Sequence, residues 1–150
     1  MFVRLASLLF LILAIFPGQA ASEENRSAPF GKWITAKGES HIEIFPCGGS
    51  ACGRVAWMKD GGLDDRGKPL TDVNNPNPAM HRVPVLGLVI MTELQPTKSN
   101  ARWAGKVYNP RDGRTYDIKM TVQSESEMII EGCGLYGLIC QKQEWERVEQ

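Results

Sequence analysis

Few side chains in this sequence could do chemistry, and their spacing decides what kind. His41 and His81 are the 2 histidines, and Cys47, Cys52, Cys133 and Cys140 are the 4 cysteines. Nucleophilic or acid-base catalysis needs a nucleophile, a base beside it and a group that orients the base. Neither histidine lies near a Gly-x-Ser-x-Gly element or a zinc-protease helix, so no such set assembles. Glu43 and Asp117 would serve as paired carboxylates, but acids on an exposed strand face are the commoner occurrence. Asp60, Asp64, Asp65 and Asp72 offer oxygen ligands by type, yet their spacing fits no calcium loop, and Lys59, Arg66 and Lys68 dilute the charge. Zinc is disfavoured because six residues separate Cys133 from Cys140, where structural sites use about two to four. No catalytic residue, metal or cofactor is assigned, and an enzymatic activity finds no support in these spacings.

Binding is the chemistry that the remaining residues suit. Trp57, Trp103, Tyr108, Met91 and Met120 would give a small apolar molecule its walls, with Arg54 and Lys106 anchoring a carboxylate or phosphate head. The plainer alternative makes the aromatics and methionines core and points the basic groups into water. Strand alternation sets Arg54 opposite in facing to Trp57, and Lys106 opposite to Trp103, so the two pairs do not share one face.

These residues belong to short segments of period two. Residues 30–36 read as a first strand, followed by a hairpin whose arms are 41–45 and 52–58 around a Gly-Gly-Ser-Ala tip. A polar stretch of 24 residues, 59–82, is long enough to act as a lid, and its Asn75-Pro76-Asn77-Pro78 run stiffens it. Residues 83–94 then read as a strand apolar on both faces, although Pro84 and Gly87 interrupt it. Residues 101–108 put Trp103 and Val107 on one face and Arg102, Lys106 and Tyr108 on the other. The turn signal Asn109-Pro110-Arg111-Asp112-Gly113 leads into 115–122, and strands at 128–133 and 139–148 complete a set of eight.

The N-terminus bounds the compartment. Arg4 precedes an apolar run of 12 residues, Leu5 to Phe16, and Pro17-Gly18-Gln19-Ala20 supplies a breaker and small residues. A spanning helix needs about 20 apolar residues, so residues 1–20 read as a cleaved signal peptide rather than an anchor. Residues 21–29 follow as a flexible segment, and 30–150 form a single domain. Removing Arg4 leaves 16 basic against 17 acidic residues, which excludes the basic excess of a nucleic-acid binder. In an exported, periplasmic or secreted chain the cysteines form disulfides. Cys47 with Cys52 and Cys133 with Cys140 are the favoured pairs, each enclosing a short Gly-containing bend; a long-range bridge such as Cys47 with Cys133 is the rival.

Eight sequential strands must hide their edges, and closing the sheet abolishes them. The fold expected is an all-β, eight-stranded antiparallel up-and-down barrel, with a two-sheet sandwich as the alternative. The succession Gly31-Lys32-Trp33, Glu43-Ile44-Phe45-Pro46-Cys47, Cys52-Gly53-Arg54-Val55, Asn75-Pro76-Asn77-Pro78, Val83-Pro84-Val85-Leu86-Gly87-Leu88, Gly105-Lys106-Val107-Tyr108-Asn109-Pro110, Asp112-Gly113-Arg114-Thr115-Tyr116 and Trp145-Glu146-Arg147-Val148 resembles the bacterial domain of unknown function 2147 family. That resemblance covers nearly the whole chain after the signal and implies an exported, lipocalin-like barrel with no agreed activity. Gly31-x-Trp33 is also similar to the opening of lipocalins, in which a late basic residue lies across the tryptophan, a role that falls to Arg147. The other lipocalin motifs are not matched; Thr115-Tyr116-Asp117 scrambles one of them.

The function expected is binding of a small, partly apolar or amphipathic molecule in the barrel mouth. The alternative is a ligand-free envelope module with a protein partner, for which the apolar tip Gly134-Leu135-Tyr136-Gly137-Leu138-Ile139 is a candidate surface. An enzyme of unknown reaction ranks third.

Overall fold

Val122, Met120, Ile118 and Tyr116 recur at every second position, so an extended chain presents all four to one side. A computed structural model describes residues 28–99, 101–134 and 139–149, and in it that side is the inside of a barrel. Eight strands follow in chain order: β1 (Gly31–Ile34), β2 (Ser40–Cys47), β3 (Ser50–Met58), β4 (Val89–Pro96), β5 (Arg102–Asn109), β6 (Arg114–Val122), β7 (Glu127–Gly134) and β8 (Ile139–Arg147). Each pairs antiparallel with its neighbours and β1 returns to β8, so the sheet is closed and the sandwich alternative is excluded. The proposed signal segment, residues 1–20, lies outside the described residues.

Closure rests on a short join at one end. Only Trp33 with Arg147 and Ile34 with Glu146 pair across β1 and β8. Arg147 compensates for that brevity: its guanidinium carbon sits 4.2 Å from the centroid of the Trp33 ring, and Nη1 donates to the Phe30 carbonyl at 2.6 Å. Its Nε donates to the Glu125 carbonyl, and Trp33 Nε1 donates to the Pro29 carbonyl at 2.7 Å. One side chain thus ties the chain before β1 to the β6–β7 turn and β8. Gly31, at φ 117°, is needed beneath it, because a Cβ there would lie 2.5 Å from the guanidinium. Phe30 meets Trp103 edge-on at 5.9 Å and plugs the same end.

Above this plug the interior is filled by side chains. Trp33, Met91, Leu94, Met120 and Met128 are fully buried, each contributing about 1.5–3 kcal/mol of burial. Two inward glycines make room for them: a Cβ on Gly53 would fall 2.7 Å from Met91 Sδ, and one on Gly105 the same distance from Leu94. The two disulfides are the local pairs favoured above. Cys47–Cys52 spans the β2–β3 turn, and Cys133–Cys140 joins register partners on β7 and β8.

Two features depart from the expected strands. Residues 83–88 are not strand: Pro84 bridges Thr71, the Val85 amide donates to Leu70 O, and Gly87 takes φ 90°. The connection between β3 and β4 therefore runs over 59–88, and β4 is buried on one face only, with Met91 and Leu94 inside and Val89 exposed. Bulges also reset the alternation. His41 pairs with Trp57 while Ile42 pairs with Val55, so Ala56 is an extra residue that swings Trp57 to the outer face. Glu93, at φ 56°, is the extra residue of β4 that lets Met91 and Leu94 both point inward. Replacing Arg147 by Ala removes the stack and two carbonyl contacts together; thermal denaturation should record a loss of about 1–3 kcal/mol, and an unchanged melting temperature would refute this end as the closure.

Candidate functional site

The seven side chains named as walls and anchors do not gather around one cavity. Met91 and Met120 are sealed in the core, and Trp103 packs on Phe30 at the closed end. Trp57 lies outside, its ring centroid 4.4 Å from that of His41. Arg54 is outward too, bonded to Glu43 Oε2 by Nη2 at 2.7 Å, and Lys106 Nζ reaches Asp117 Oδ1 at 3.0 Å. That exposed contact holds the Lys106 ammonium above its ordinary pKa through the hydrogen bond and charge of Asp117. Tyr108 points away from the lumen and belongs to a different device.

That device is the fastening of the 59–88 connection across the open end. Asp72 is completely buried, and its carboxylate accepts from Tyr108 Oη at 2.6 Å and from Asn75 Nδ2 at 2.7 Å. Burial first, and the bond to Asp72 second, push the Tyr108 phenol up to about 12. Asn74 Nδ2 donates to the carbonyls of Pro110 and Arg111 in the β5–β6 turn, and Gly113 is required there because a Cβ would collide with the Asn74 carbonyl. Arg111 Nη2 reaches Glu39 Oε2 at 2.9 Å, joining that turn to the β1–β2 loop. The Asn-Pro-Asn-Pro run folds on itself: Asn75 Oδ1 accepts from Asn77 N, Asn77 Oδ1 from Ala79 N, and His81 Nε2 lies 2.8 Å from Asn75 O. Of the aspartates weighed for calcium, Asp72 is held in the fastening and Asp64 in a turn of its own, its Oδ1 accepting from the amides of Arg66 and Lys68, and no group of three metal-ligating side chains occurs among the described residues.

The open half of the lumen is lined by residues that spacing did not single out. Counting back from the buried Trp145 in steps of two, Gln143 and Gln141 face inward, and no register shift interrupts β7 and β8. Both are nevertheless exposed. Gly132 lies opposite Gln141 and Ile130 opposite Gln143; Gly134, one inward step further along β7, adds no side chain, and the Tyr116 ring lies 3.2 Å from where its Cβ would be. Tyr116 Oη donates to Asp112 Oδ2 at 2.6 Å, which raises the phenol above its ordinary value. Burial works to raise the Asp112 carboxyl, but bonds from Tyr116, the Arg114 amide and Asn109 hold it below the usual range. Ile118 and Ile130, both buried, form the floor. By register, the apolar Ile118 and Ile130, two primary amides and a phenol thus share the inward face of this half of the barrel, called the cup below.

The family described as "Uncharacterized protein conserved in bacteria (DUF2147)" matches residues 31–147. The chain belongs to the DUF2147 family. Among solved structures it is similar to "Protein HP1028 from the human pathogen Helicobacter pylori belongs to the lipocalin family", at 24% identity and a TM-score of 0.66, over 80% of this chain and 82% of that one. That likeness establishes the lipocalin-like fold of this DUF2147 barrel. No curated protein matches the chain.

The sequence motifs that carried the resemblance have visible work in this fold. The Asn-Pro-Asn-Pro segment and the Tyr108-Asn109-Pro110 turn are the two halves of the fastening, and Gly31, Trp33 and Arg147 are the closure. The apolar tip at 135–138 lies outside the described residues. Asp72→Ala strands the Tyr108 hydroxyl and the Asn75 amide; denaturant titration should show a loss of about 1–3 kcal/mol. The alkaline limb gives a second reading. The unfolded chain releases a tyrosine proton near the ordinary 10.0 while folded Tyr108 holds it to about 12. This contribution to stability is therefore complete below pH 10 and is lost as the pH rises from there to about 12, and Tyr108→Phe should abolish that portion of the decline.

Proposed function

We propose that this DUF2147 protein is an exported binding protein that holds a small, partly apolar molecule in the cup at its open end. The observation that carries the reading is the pair Gln141 and Gln143: inward-facing by register, yet reached by solvent. Aliphatic floor, primary amides and a phenol suit a ligand with an apolar body and an uncharged or weakly polar head, which an amide can both donate to and accept from. Binding would come from burial of the apolar part on Ile118 and Ile130, with the polar groups fixing orientation. The fastened 59–88 connection supports this role as a rim already in place, so a ligand would meet an ordered mouth.

Export is supported by the charged start and apolar run of residues 1–20 and by two disulfides, which persist in oxidising compartments. No helix among the described residues is long and apolar enough to cross a membrane. The test is native mass spectrometry of the protein produced by export from the full-length chain, followed by organic extraction. Gly132→Phe is the matching variant, because the strand backbone there tolerates a side chain and, among the described residues, the only neighbour within 4 Å of its Cβ is Ile118 at 3.7 Å. The wild type should carry a reproducible small molecule that Gly132→Phe lacks, with the melting temperature of the variant within about 4 °C. A ligand-free mass for each protein, with no uptake from a lipid and metabolite mixture, would contradict the proposal.

A further inference from the structure

The join between β1 and β8 leaves most of β8 without a partner on that side. β8 runs nine residues and pairs with β7 along nearly all of it, but β1 meets only Glu146 and Arg147 before the chain turns away at Thr35. The direction of the free groups follows from the ladder. The amide of Arg147 donates to Ser126 O on the β7 side and that of Val148 to Lys32 O on the β1 side, so alternation sends the amides of Glu144 and Lys142 into the open seam. A groove of about 220 Å³ runs there, lined by Ile34, Thr35, Ala36, Gly38, Glu144 and Glu146.

The charged residues that line the groove are both acidic, and the nearest outward cation on β8, Lys142, lies opposite Glu131 in the register. Glu144 and Glu146 have no ion pair among the described residues, and Glu146 lies directly opposite Glu127 in the register. Like charges facing across a ladder are unfavourable, and a cation brought into the seam would relieve them. We infer that the β8 edge is a docking site for an extended, basic segment of a partner protein, which adds as a strand beside Lys142 and Glu144 and sets lysine or arginine against Glu144 and Glu146. Main-chain bonds supply the attachment and the carboxylates supply the preference, as in other strand-addition interfaces.

Two other occupants fit less well. Residues 21–27 lead into Phe30 at the opposite, closed end and carry Glu23 and Glu24 against Arg26, a poor match for an acidic groove. A second copy would bring its own Glu144 and Glu146 against these carboxylates, like charge against like.

Hydrogen exchange followed residue by residue by NMR on the disulfide-intact protein tests the inference, using acetyl-Lys-Val-Lys-Val-Lys-Val-amide as the probe and the Glu-Val counterpart as control. In the free protein the Lys142 and Glu144 amides should exchange fast while those of Gln141 and Gln143 are slow. The basic peptide should slow Lys142 and Glu144 by about tenfold or more, the acidic one should not, and the effect should disappear in the Glu144→Lys, Glu146→Lys double variant. Protection of Lys142 and Glu144 before any peptide is added would mean that the chain itself or a second copy already holds the edge, and would overturn the inference. So would equal effects of the two peptides, or no effect of either.

Discussion

The stack of Arg147 on Trp33 is the interaction on which this barrel depends. A closed sheet must bring its first and last strands together, and here only two register pairs do so. The guanidinium offsets that shortage by serving three masters at once: an indole face, the carbonyl before β1 and a carbonyl in the β6–β7 turn. Because its donors are directed at backbone carbonyls, a lysine would not replace it, having a point charge and no planar fork. Desolvation by the surrounding chain lowers the Arg147 pKa below its ordinary value, yet a guanidinium stays charged at neutral pH.

Placing the closure at one end divides the molecule. Below the midline, tryptophans, methionines and leucine fill the space, with inward glycines removing the clashes that such large residues would otherwise make. Above it, side chains thin out: Gly132 and Gly134 add nothing, and Gln141 and Gln143 meet water. The same shortness of β1 that makes Arg147 indispensable leaves the upper part of β8 unpaired. The seam is thus a consequence of a first strand of four residues against a last strand of nine.

Much of the fold was legible in the sequence for local reasons. Clean alternation at 115–122, the turn at 109–113 and the short loops between cysteines each depend on neighbours in the chain, and each was read correctly. Arg147 on Trp33 was legible only through a family likeness, since no local rule links positions so far apart. The failures share the opposite cause. Ala56 and Glu93 are bulges that exist only relative to a facing strand, so alternation along β3 alone put Trp57 on the wrong side. Residues 83–88 look like a strand by composition, but their backbone bonds go to Leu70 and Thr71. Asp72 drew notice as an oxygen donor for calcium, whereas its partner Tyr108 lies 36 residues away and turns it into a fastening. The glutamines were readable in principle by stepping back from Trp145, but polar side chains on an inward face carry meaning only once that face is known to be open.

The barrel proposed here is solid at one end and wet at the other. A soluble nitroxide added during NMR measures that division directly, because it broadens only the groups that it can approach. The side-chain amides of Gln141 and Gln143 should broaden strongly while the methyl groups of Met91, Met120 and Met128 stay sharp. Glutamine amides as protected as the methionine methyls would show a lumen filled from end to end, and the account of the cup would fail.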